Sequence, residues 1–233
     1  MSRPLLALEN VRKAYHRGVF DRTPAFELDV DHKFEHPEIV GVMGPNGAGK
    51  TPLFEMIAGS NAPSGGRVVV AGQDIQRVRY RQRYRLAIHY HQSYQVRRFR
   101  KTTPAFLLER SQSPYPLVHL FDEPQFNTQD GYIGFMLDFF RRLRDEGRLV
   151  LVCLHPTAAF QLDILRETCE RFLFVSGGKV APHPTFSNLV AQPEVRAGKF
   201  RFARCEVSRG ARQRLWIAGT RVRKLSRFVE KPC

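Results

Sequence analysis

Eight consecutive residues, Gly44–Thr51, have the types and spacing that bind the phosphates of a nucleotide. They fit the pattern G-x-x-x-x-G-K-[ST] at every fixed position. The glycines allow the backbone to curl so that successive N–H groups point at one anion, and a helix that begins there favours negative charge at its N-terminus. The pattern predicts a phosphate loop in which Lys50 reaches the β- and γ-phosphates and the Thr51 hydroxyl helps to hold Mg²⁺.

An acidic pair is the second group that could do chemistry. The apolar run Leu117–Phe121 predicts a strand, and Asp122 and Glu123 follow it directly. In phosphoryl-transfer sites, an aspartate at this place holds Mg²⁺ and a nearby carboxylate orients or polarises the attacking water. The alternative is a solvated acidic turn at a strand end. The phosphate loop upstream favours the functional interpretation.

The elements around these groups are those of an α/β protein. An apolar run, Ile39–Met43, precedes the loop, and the segment Leu53–Gly59 has apolar residues at helical spacing and ends in glycine. The continuous apolar run Arg148–Leu154 is typical of a parallel strand covered on both faces. Ligands of open α/β sheets bind at the carboxyl edge, so we expect His155, which follows this run, to face the γ-phosphate. The alternative is a structural histidine.

Further elements are predicted from periodicity on both sides of the loop. Strands are expected at 5–15, 26–31, 67–72 and 86–90, helices at 132–144 and 160–171, and a hairpin at 172–180. The segment 77–85 is interpreted as a polar helix or loop, and 105–110 as one short helix.

Composition indicates a globular chain with a buried core, since 42% of the 233 residues are hydrophobic. No apolar run approaches the roughly 18 residues that span a bilayer, and we expect no signal peptide. Four cysteines, Cys153, Cys169, Cys205 and Cys233, have no metal-ligand spacing. They are interpreted as reduced thiols of a cytosolic protein.

The net charge of +15 predicts non-specific attraction to nucleic acid or to anionic membranes. The stretch Arg77–Lys101 holds nine basic residues and no acidic one, and the tail Lys199–Cys233 holds eleven against two acidic ones. We interpret the alternating arginines of Arg77–Arg85 as a solvated surface, with contact to phosphates of nucleic acid or lipid as the alternative. The tail is interpreted as a disordered or loosely docked extension, with single-stranded nucleic acid as the alternative ligand of its interleaved aromatic and basic residues.

Taken in order, the motifs resemble those of the ATP-binding cassette (ABC) family, the nucleotide-binding subunits of ABC transporters. The loop Gly44–Thr51 is similar to the family's Walker A, and Leu120–Pro124 is similar to its Walker B with the catalytic glutamate. His155 stands where the family's switch histidine follows its strand. The closing segment Phe174–Val180 is similar to the last sheet segment of the family, and the resemblance covers roughly residues 5–190.

Two further residues resemble nucleotide contacts of the family. Tyr15 is similar to the aromatic residue that stacks on adenine, and Gln92 to the Q-loop glutamine, for which Gln95 is a rival. The resemblance implies ATP and Mg²⁺ as cofactors, with Glu123 and His155 in catalysis and with Thr51, Gln92 and Asp122 at the metal. The implied nucleotide-binding residues are Tyr15, Gly44, Asn46, Gly47, Ala48, Gly49, Lys50, Thr51, Pro52 and Gln92.

The departures from the family are as informative as the matches. The family places a helical subdomain, ending in the signature Leu-Ser-Gly-Gly-Gln, between its Q-loop and Walker B. Here only 24 residues separate Gln92 from Leu117, and they contain no such signature. Pro52 replaces a hydroxyl residue that contacts the α-phosphate, and Asn127–Asp130 matches the turn expected after Walker B poorly. Nucleotide binding should survive these losses, whereas hydrolysis requires a signature from a partner chain.

We therefore expect a P-loop NTPase fold of the ABC ATPase type, in the α/β class. It should have a mostly parallel core sheet, an antiparallel β subdomain and a truncated helical subdomain. Residues 1–190 are predicted to form the nucleotide-binding domain and residues 191–233 a basic C-terminal extension.

The resemblance implies an ATP-binding subunit of an ABC-type membrane transporter, with an ABC-type ATPase activity if it is active. Its expected partners are a transmembrane permease subunit and a second nucleotide-binding subunit, in a homo- or heterodimer. Its expected location is cytoplasmic, at the inner face of the cell membrane. The alternatives are a non-hydrolysing cassette remnant with a regulatory or structural role, and a soluble ATPase associated with nucleic acid.

Overall fold

A computed structural model of the chain describes residues 3–16, 24–90, 116–124, 132–156, 159–196, 216–217 and 220–221. Within them, ten strands form one sheet in the order β5-β4-β1-β2-β10-β9-β3-β8-β7-β6. The strands of this sheet are β1 (Leu6–His16), β2 (Pro24–Phe34), β3 (Ile39–Met43), β4 (Gly65–Val70), β5 (Gln73–Asp74), β6 (Ala87–Tyr90), β7 (Val118–Asp122), β8 (Leu149–Cys153), β9 (Arg171–Ser176) and β10 (Lys179–His183). The helices are α1 (Lys50–Ile57), α2 (Tyr80–Arg83), α3 (Tyr132–Asp145), α4 (Ala159–Thr168), α5 (Phe186–Val190) and α6 (Pro193–Arg196).

The half of the sheet that carries the site is parallel. β3 lies between β9 and β8, and β7 and β6 continue the parallel order on the far side of β8. In the register, Val42 pairs with Cys153, and Cys153 pairs with Asp122. The loop after β3 and the acidic pair after β7 therefore leave the sheet at the same carboxyl edge, as predicted for a ligand-binding α/β sheet.

The N-terminal strands form the antiparallel part of the same sheet. β1 pairs antiparallel with both β2 and β4, and β9 and β10 form the predicted hairpin. β10 then joins β2 in parallel, where the Asp29 N–H donates to the Gly178 carbonyl at 2.7 Å. A Cβ at Gly178, whose φ is +76°, would collide with the Glu27 carbonyl, so only glycine allows this close approach. The antiparallel region continues the core sheet through this junction.

Apolar side chains cover both faces of the sheet because successive strand residues point to opposite sides. On β3, Val40 and Val42 face α1, whereas Ile39 and Met43 face the other core. The second core is closed by the apolar stripe of α3, which is predicted from its helical spacing: Met136, Phe139, Phe140 and Leu143. The short helix α1 is thus held on one face of the sheet with its N-terminus at the carboxyl edge.

Within the described residues, the predicted elements agree with the structure in existence and type, and their bounds differ by up to three residues. The sequence predicts a helix at 160–171, but α4 ends at Thr168 and Arg171 is the first residue of β9. The Glu170 N–H donates to the Ile39 carbonyl at 2.8 Å. The backbone therefore leaves the helix at this point and begins to pair with β3. The segment 77–85 contains only the single turn α2.

Several predictions concern residues outside the described ranges. These are Gln92, Gln95, the helix at 105–110, Asn127–Asp130 and most of the tail from Lys199. Within the tail, the two-residue strands β11 (Trp216–Ile217) and β12 (Thr220–Arg221) are described, and they pair with each other. Among the described helices, none has the length and apolar character needed to cross a membrane.

Candidate nucleotide-binding site

The phosphate loop leads from β3 into α1 by a left-handed turn. Gly49, with φ at +103°, is the N-cap of α1, and no side chain caps the helix. A Cβ at Gly49 would lie 2.6 Å from Phe26 Cζ, so this position requires glycine for space as well as for conformation. The first N–H groups of an α-helix have no partner within the helix, and here they are presented at the carboxyl edge of the sheet. That arrangement is suited to binding an anion.

Lys50 is buried, with 7% of its surface exposed, although it carries a charge that prefers water. Its Nζ donates to the Gly44 carbonyl at 2.7 Å and to the Pro45 carbonyl at 2.9 Å. Both acceptors belong to the loop itself. The ammonium group is therefore folded over the loop, where an ammonium can contact a bound phosphate as a point charge.

One carboxylate oxygen of Asp122 is contacted by both Thr51 and His89. The Thr51 hydroxyl donates to Asp122 Oδ2 at 2.9 Å, and His89 Nε2 lies 3.3 Å from the same oxygen. Burial raises the pKa of Asp122, but the hydrogen bonds from His89, Thr51 and Cys153 outweigh it and lower the pKa below its ordinary value. Asp122 is therefore ionised at neutral pH.

The donor set of Thr51 and Asp122 fits Mg²⁺, which prefers hard oxygen ligands and is commonly held by one or two carboxylates together with substrate phosphates. The hydroxyl and the carboxylate come from different elements, α1 and β7, and their contact shows that the fold brings the two predicted motifs together.

Glu123 adopts a backbone conformation that is uncommon for a residue with a side chain. Its φ is +49°, in the left-handed region. Its N–H donates to the Cys153 carbonyl at 2.9 Å, which ties this turn to the end of β8. The neighbouring strand thus fixes the position of Glu123 immediately beyond Asp122 at the sheet edge.

These groups surround an open cavity of about 310 Å³, the size range of small-molecule sites. The residues that line it are Tyr15, Phe26, Asn46, Gly47, Gly49, Lys50, Thr51, Pro52, Asp122 and Glu123. Tyr15 and Phe26 form an aromatic wall, with ring centroids 6.1 Å apart. The Tyr15 hydroxyl accepts a hydrogen bond from Asn61 Nδ2 at 2.9 Å, which holds the ring at the cavity.

The remaining predicted residues lie elsewhere. Gly44 is packed against Val175, and a Cβ there would collide with the Val175 carbonyl. Ala48 lines a second cavity, of about 490 Å³, on the other side of the loop. His155 is half-buried beyond β8 and is not among the residues that line the first cavity. Gln92 lies outside the described residues.

Sequence reasoning overlooked Phe26 and His89. The sequence places Phe26 only in a predicted strand, yet this residue lines both cavities. His89 was assigned only to a short strand, yet it lies beside Asp122, with its ring edge-on to Phe54 at 5.7 Å between centroids. A histidine within an otherwise apolar strand next to the acidic strand was the available signal for His89. Phe26 carried no such signal.

A sequence profile of the ABC transporter family matches residues 28–226 of the chain. The doxorubicin resistance ATP-binding protein DrrA of Mycobacterium tuberculosis is 34% identical over 70 residues, which are 30% of this chain and 20% of DrrA. The lipopolysaccharide export system ATP-binding protein LptB of Acidithiobacillus ferridurans is 35% identical over 86 residues, which are 37% of this chain and 33% of LptB. The matched segments thus span a third or less of the length of these relatives.

Solved structures extend the likeness to most of the chain. The ADP conformation of MJ1267, an ATP-binding cassette of an ABC transporter, has a TM-score of 0.60 at 16% identity, covering 84% of this chain and 98% of that one. An ATP-binding subunit of an ABC transporter has a TM-score of 0.56 at 18% identity, covering 82% of this chain and 94% of that one. These likenesses confirm the predicted fold of the ABC ATPase type.

Proposed function

The chain belongs to the ABC transporter family, and we propose that it is the ATP-binding subunit of an ABC-type membrane transporter. In this role it couples ATP binding, and hydrolysis in a completed site, to transport by a separate membrane subunit. The observation that carries the proposal is the contact between Thr51 of the phosphate loop and Asp122 of the acidic pair, inside a cavity that Tyr15 and Lys50 also line.

The residues divide the work of binding and chemistry. The N–H groups of the loop and of α1, together with Lys50, bind the phosphates, and Tyr15 stacks on the base. Thr51 and Asp122 would hold Mg²⁺, with Gln92 as a further ligand, and these residues would thereby place a positive charge beside the phosphates. Glu123 orients and polarises the attacking water, and His155 senses the γ-phosphate.

The proposed partners are a transmembrane permease subunit and a second nucleotide-binding subunit, at the cytoplasmic face of the membrane. The names of DrrA and LptB, an ATP-binding protein of drug resistance and one of an export system, support this setting. The second subunit has a specific chemical task, because the sequence between Gln92 and Leu117 offers no Leu-Ser-Gly-Gly-Gln. A heterodimer whose partner donates this signature would complete one site. The same absence favours the second candidate function, a cassette that binds ATP without turnover.

The experiment measures ATP binding and phosphate release by the purified chain beside three variants. Lys50→Ala should weaken ATP binding by about 10- to 100-fold, since a hydrogen bond between charged groups contributes roughly 1.5–3 kcal/mol. Glu123→Gln should still bind ATP, and should lose about 100- to 10,000-fold in any turnover because general-base assistance is of that size. Lys33→Ala, an exposed lysine on β2, is the matched control.

Each outcome decides between the candidates. Turnover by the native chain that both site variants abolish would establish an ATPase that needs no partner signature. If the chain binds ATP through Lys50 but does not hydrolyse it, the transporter role requires a partner subunit. If no partner then restores phosphate release, the non-hydrolysing remnant is favoured. Binding that is equal in Lys50→Ala and in the control would overturn the nucleotide site.

A further inference from the structure

A cationic and aromatic patch surrounds α2, away from the nucleotide cavity. We define the α2 patch as Arg77, Arg79, Tyr80, Arg81 and Tyr84. Tyr80 is 74% exposed and Tyr84 is 45% exposed, and they are the large hydrophobic side chains that the described part of the chain leaves exposed. The arginines of the patch are exposed as well, with 87% of the Arg77 side chain accessible.

One nearby arginine has a structural role, which separates it from the patch. Arg83 is half-buried, and its guanidinium donates to the carbonyls of Gly59, Val78 and Gln76. Gly59 lies just beyond the C-terminal end of α1, so this cation also stabilises the negative end of that helix. Its Cζ lies 5.7 Å from the centroid of the Tyr80 ring. Arg83 therefore fixes α2 to the body of the protein and leaves the patch facing outward.

Within the described part of the chain, little negative charge compensates the arginines of the patch. Among the described residues, the ion pair of the patch joins Arg77 Nε and Asp74 Oδ2 at 3.5 Å, at an exposed position where such a contact contributes little. The sequence has no acidic residue from Ile75 to Leu108. The patch therefore presents a positive field together with two aromatic rings, and its partner must be anionic.

We propose that the α2 patch binds the anionic head groups of a membrane surface. Arginines near such a surface are attracted by its negative potential, and tyrosines settle at the interface because their rings are apolar and their hydroxyls polar. Single-stranded nucleic acid is bound in a basic groove that follows the backbone, and duplexes are read by an element that enters a groove. α2 is a single turn of four residues on an outward-facing segment. Such a segment suits a flat membrane surface better than a nucleic-acid strand or a duplex groove.

The choice of a membrane as the partner rests on the proposed role at a transporter, whereas the patch itself is independent of nucleotide. The test is co-sedimentation of the full chain with vesicles of phosphatidylcholine and phosphatidylserine, compared with phosphatidylcholine alone, at low and high salt. The patch variant replaces Arg77, Arg79 and Arg81 by glutamine. The matched control replaces three exposed cations elsewhere, Lys33, Arg142 and Arg166, by glutamine. Both triple variants lower the net charge equally and keep Arg83.

We expect the patch variant to bind anionic vesicles roughly a hundredfold more weakly than the native chain, since each basic residue near the surface contributes about a factor of five. The affinity of the control variant for anionic vesicles should fall much less. Tyr80→Ser should weaken vesicle binding by an amount that does not depend on the salt concentration. Lys50→Ala should bind vesicles as the native chain does, so failure of the nucleotide site would be seen separately.

Equal loss in the two triple variants would overturn the proposal, because net charge alone would then explain the binding. Binding of a single-stranded oligonucleotide that only the patch variant loses, without binding to anionic vesicles, would also overturn it and assign the patch to nucleic acid. The proposal would also be overturned if the native chain bound no vesicles.

Discussion

Pro52 changes what the first turn of α1 can offer to a nucleotide. It is the third residue of the helix, and its ring lines the cavity. Proline has no N–H, so one of the donors that a helix N-terminus presents is missing. The first bond within the helix, from Leu53 N–H to the Gly49 carbonyl at 3.0 Å, is intact. The proline therefore removes a donor to the ligand and leaves the fold unchanged.

Restoring the donors at this position should strengthen ATP binding. Pro52→Ala returns the N–H, and Pro52→Ser returns the N–H and a hydroxyl. Each hydrogen bond to a phosphate should contribute about 10- to 100-fold in affinity, since hydrogen bonds to charged groups contribute roughly 1.5–3 kcal/mol. Titration calorimetry should thus rank affinity as Ser above Ala above Pro. An unchanged dissociation constant in Pro52→Ser would show that the first turn does not contact the phosphates, and thermal unfolding without nucleotide controls for stability.

At the scale of elements, Arg83 explains how a four-residue helix keeps a defined position. α2 buries no side chain of its own. The guanidinium bonds to three backbone carbonyls contribute to its attachment, and two of them measure 3.0 Å. Buried carbonyls that lose a charged donor carry a desolvation cost, so the attachment is strong for so small an element.

Removing this guanidinium should destabilise the chain, and lysine should not replace it. Arg83→Ala should lower the free energy of unfolding by about 1–3 kcal/mol, which is the cost of leaving carbonyl groups unsatisfied. Arg83→Lys should recover little of it, because a single ammonium group cannot match the planar fork that reaches all three carbonyls. Urea denaturation measures the change, with Arg81→Ala at the exposed neighbour as the control. Equal midpoints for the two alanine variants would contradict this role.

The strands and helices could be predicted because their signals are local. The phosphate loop, the buried strands β3 and β8 and the stripe of α3 follow from residue types at period two or 3.6. The end of α4 could not be predicted in this way. Just beyond it, the Glu170 N–H donates to the carbonyl of Ile39, which is distant in the sequence. Backbone competition of that kind leaves no pattern in the helix itself.

At the scale of the whole molecule, strand order decides which residues reach the site. The loop and the acidic pair could be predicted to meet because both follow parallel strands. Phe26 could not be placed, since it reaches the cavity only because β2 joins the parallel half of the sheet through β10. His89 likewise depends on β6 pairing with β7. Such long-range pairings are fixed by the complete sheet and not by any one strand.

The same strand order buries a histidine in a cluster that joins β6 and β7. His119 on β7 is fully buried, and its Nδ1 lies 3.1 Å from the Tyr90 hydroxyl on β6. Its Nε2 lies 3.1 Å from the Pro116 carbonyl. Burial, reinforced by the Arg148 guanidinium before β8, lowers the pKa of His119 from 6.5 to about 3. The folded protein therefore keeps this imidazole neutral at pH values at which the unfolded chain protonates it.

This difference makes the stability of the whole fold depend on pH in a defined direction. Between pH 6.5 and about 3 the unfolded state binds the extra proton, so the contribution of His119 is complete above pH 6.5 and is lost progressively as the pH falls through that window. From about pH 7 to pH 5 the loss should be about 2 kcal/mol. His119→Gln should flatten the pH dependence by that amount, whatever its effect at pH 7, as measured by urea denaturation at a series of pH values. His36→Gln, at an exposed histidine between β2 and β3, is the matched control. An unchanged slope in His119→Gln would contradict this role of His119.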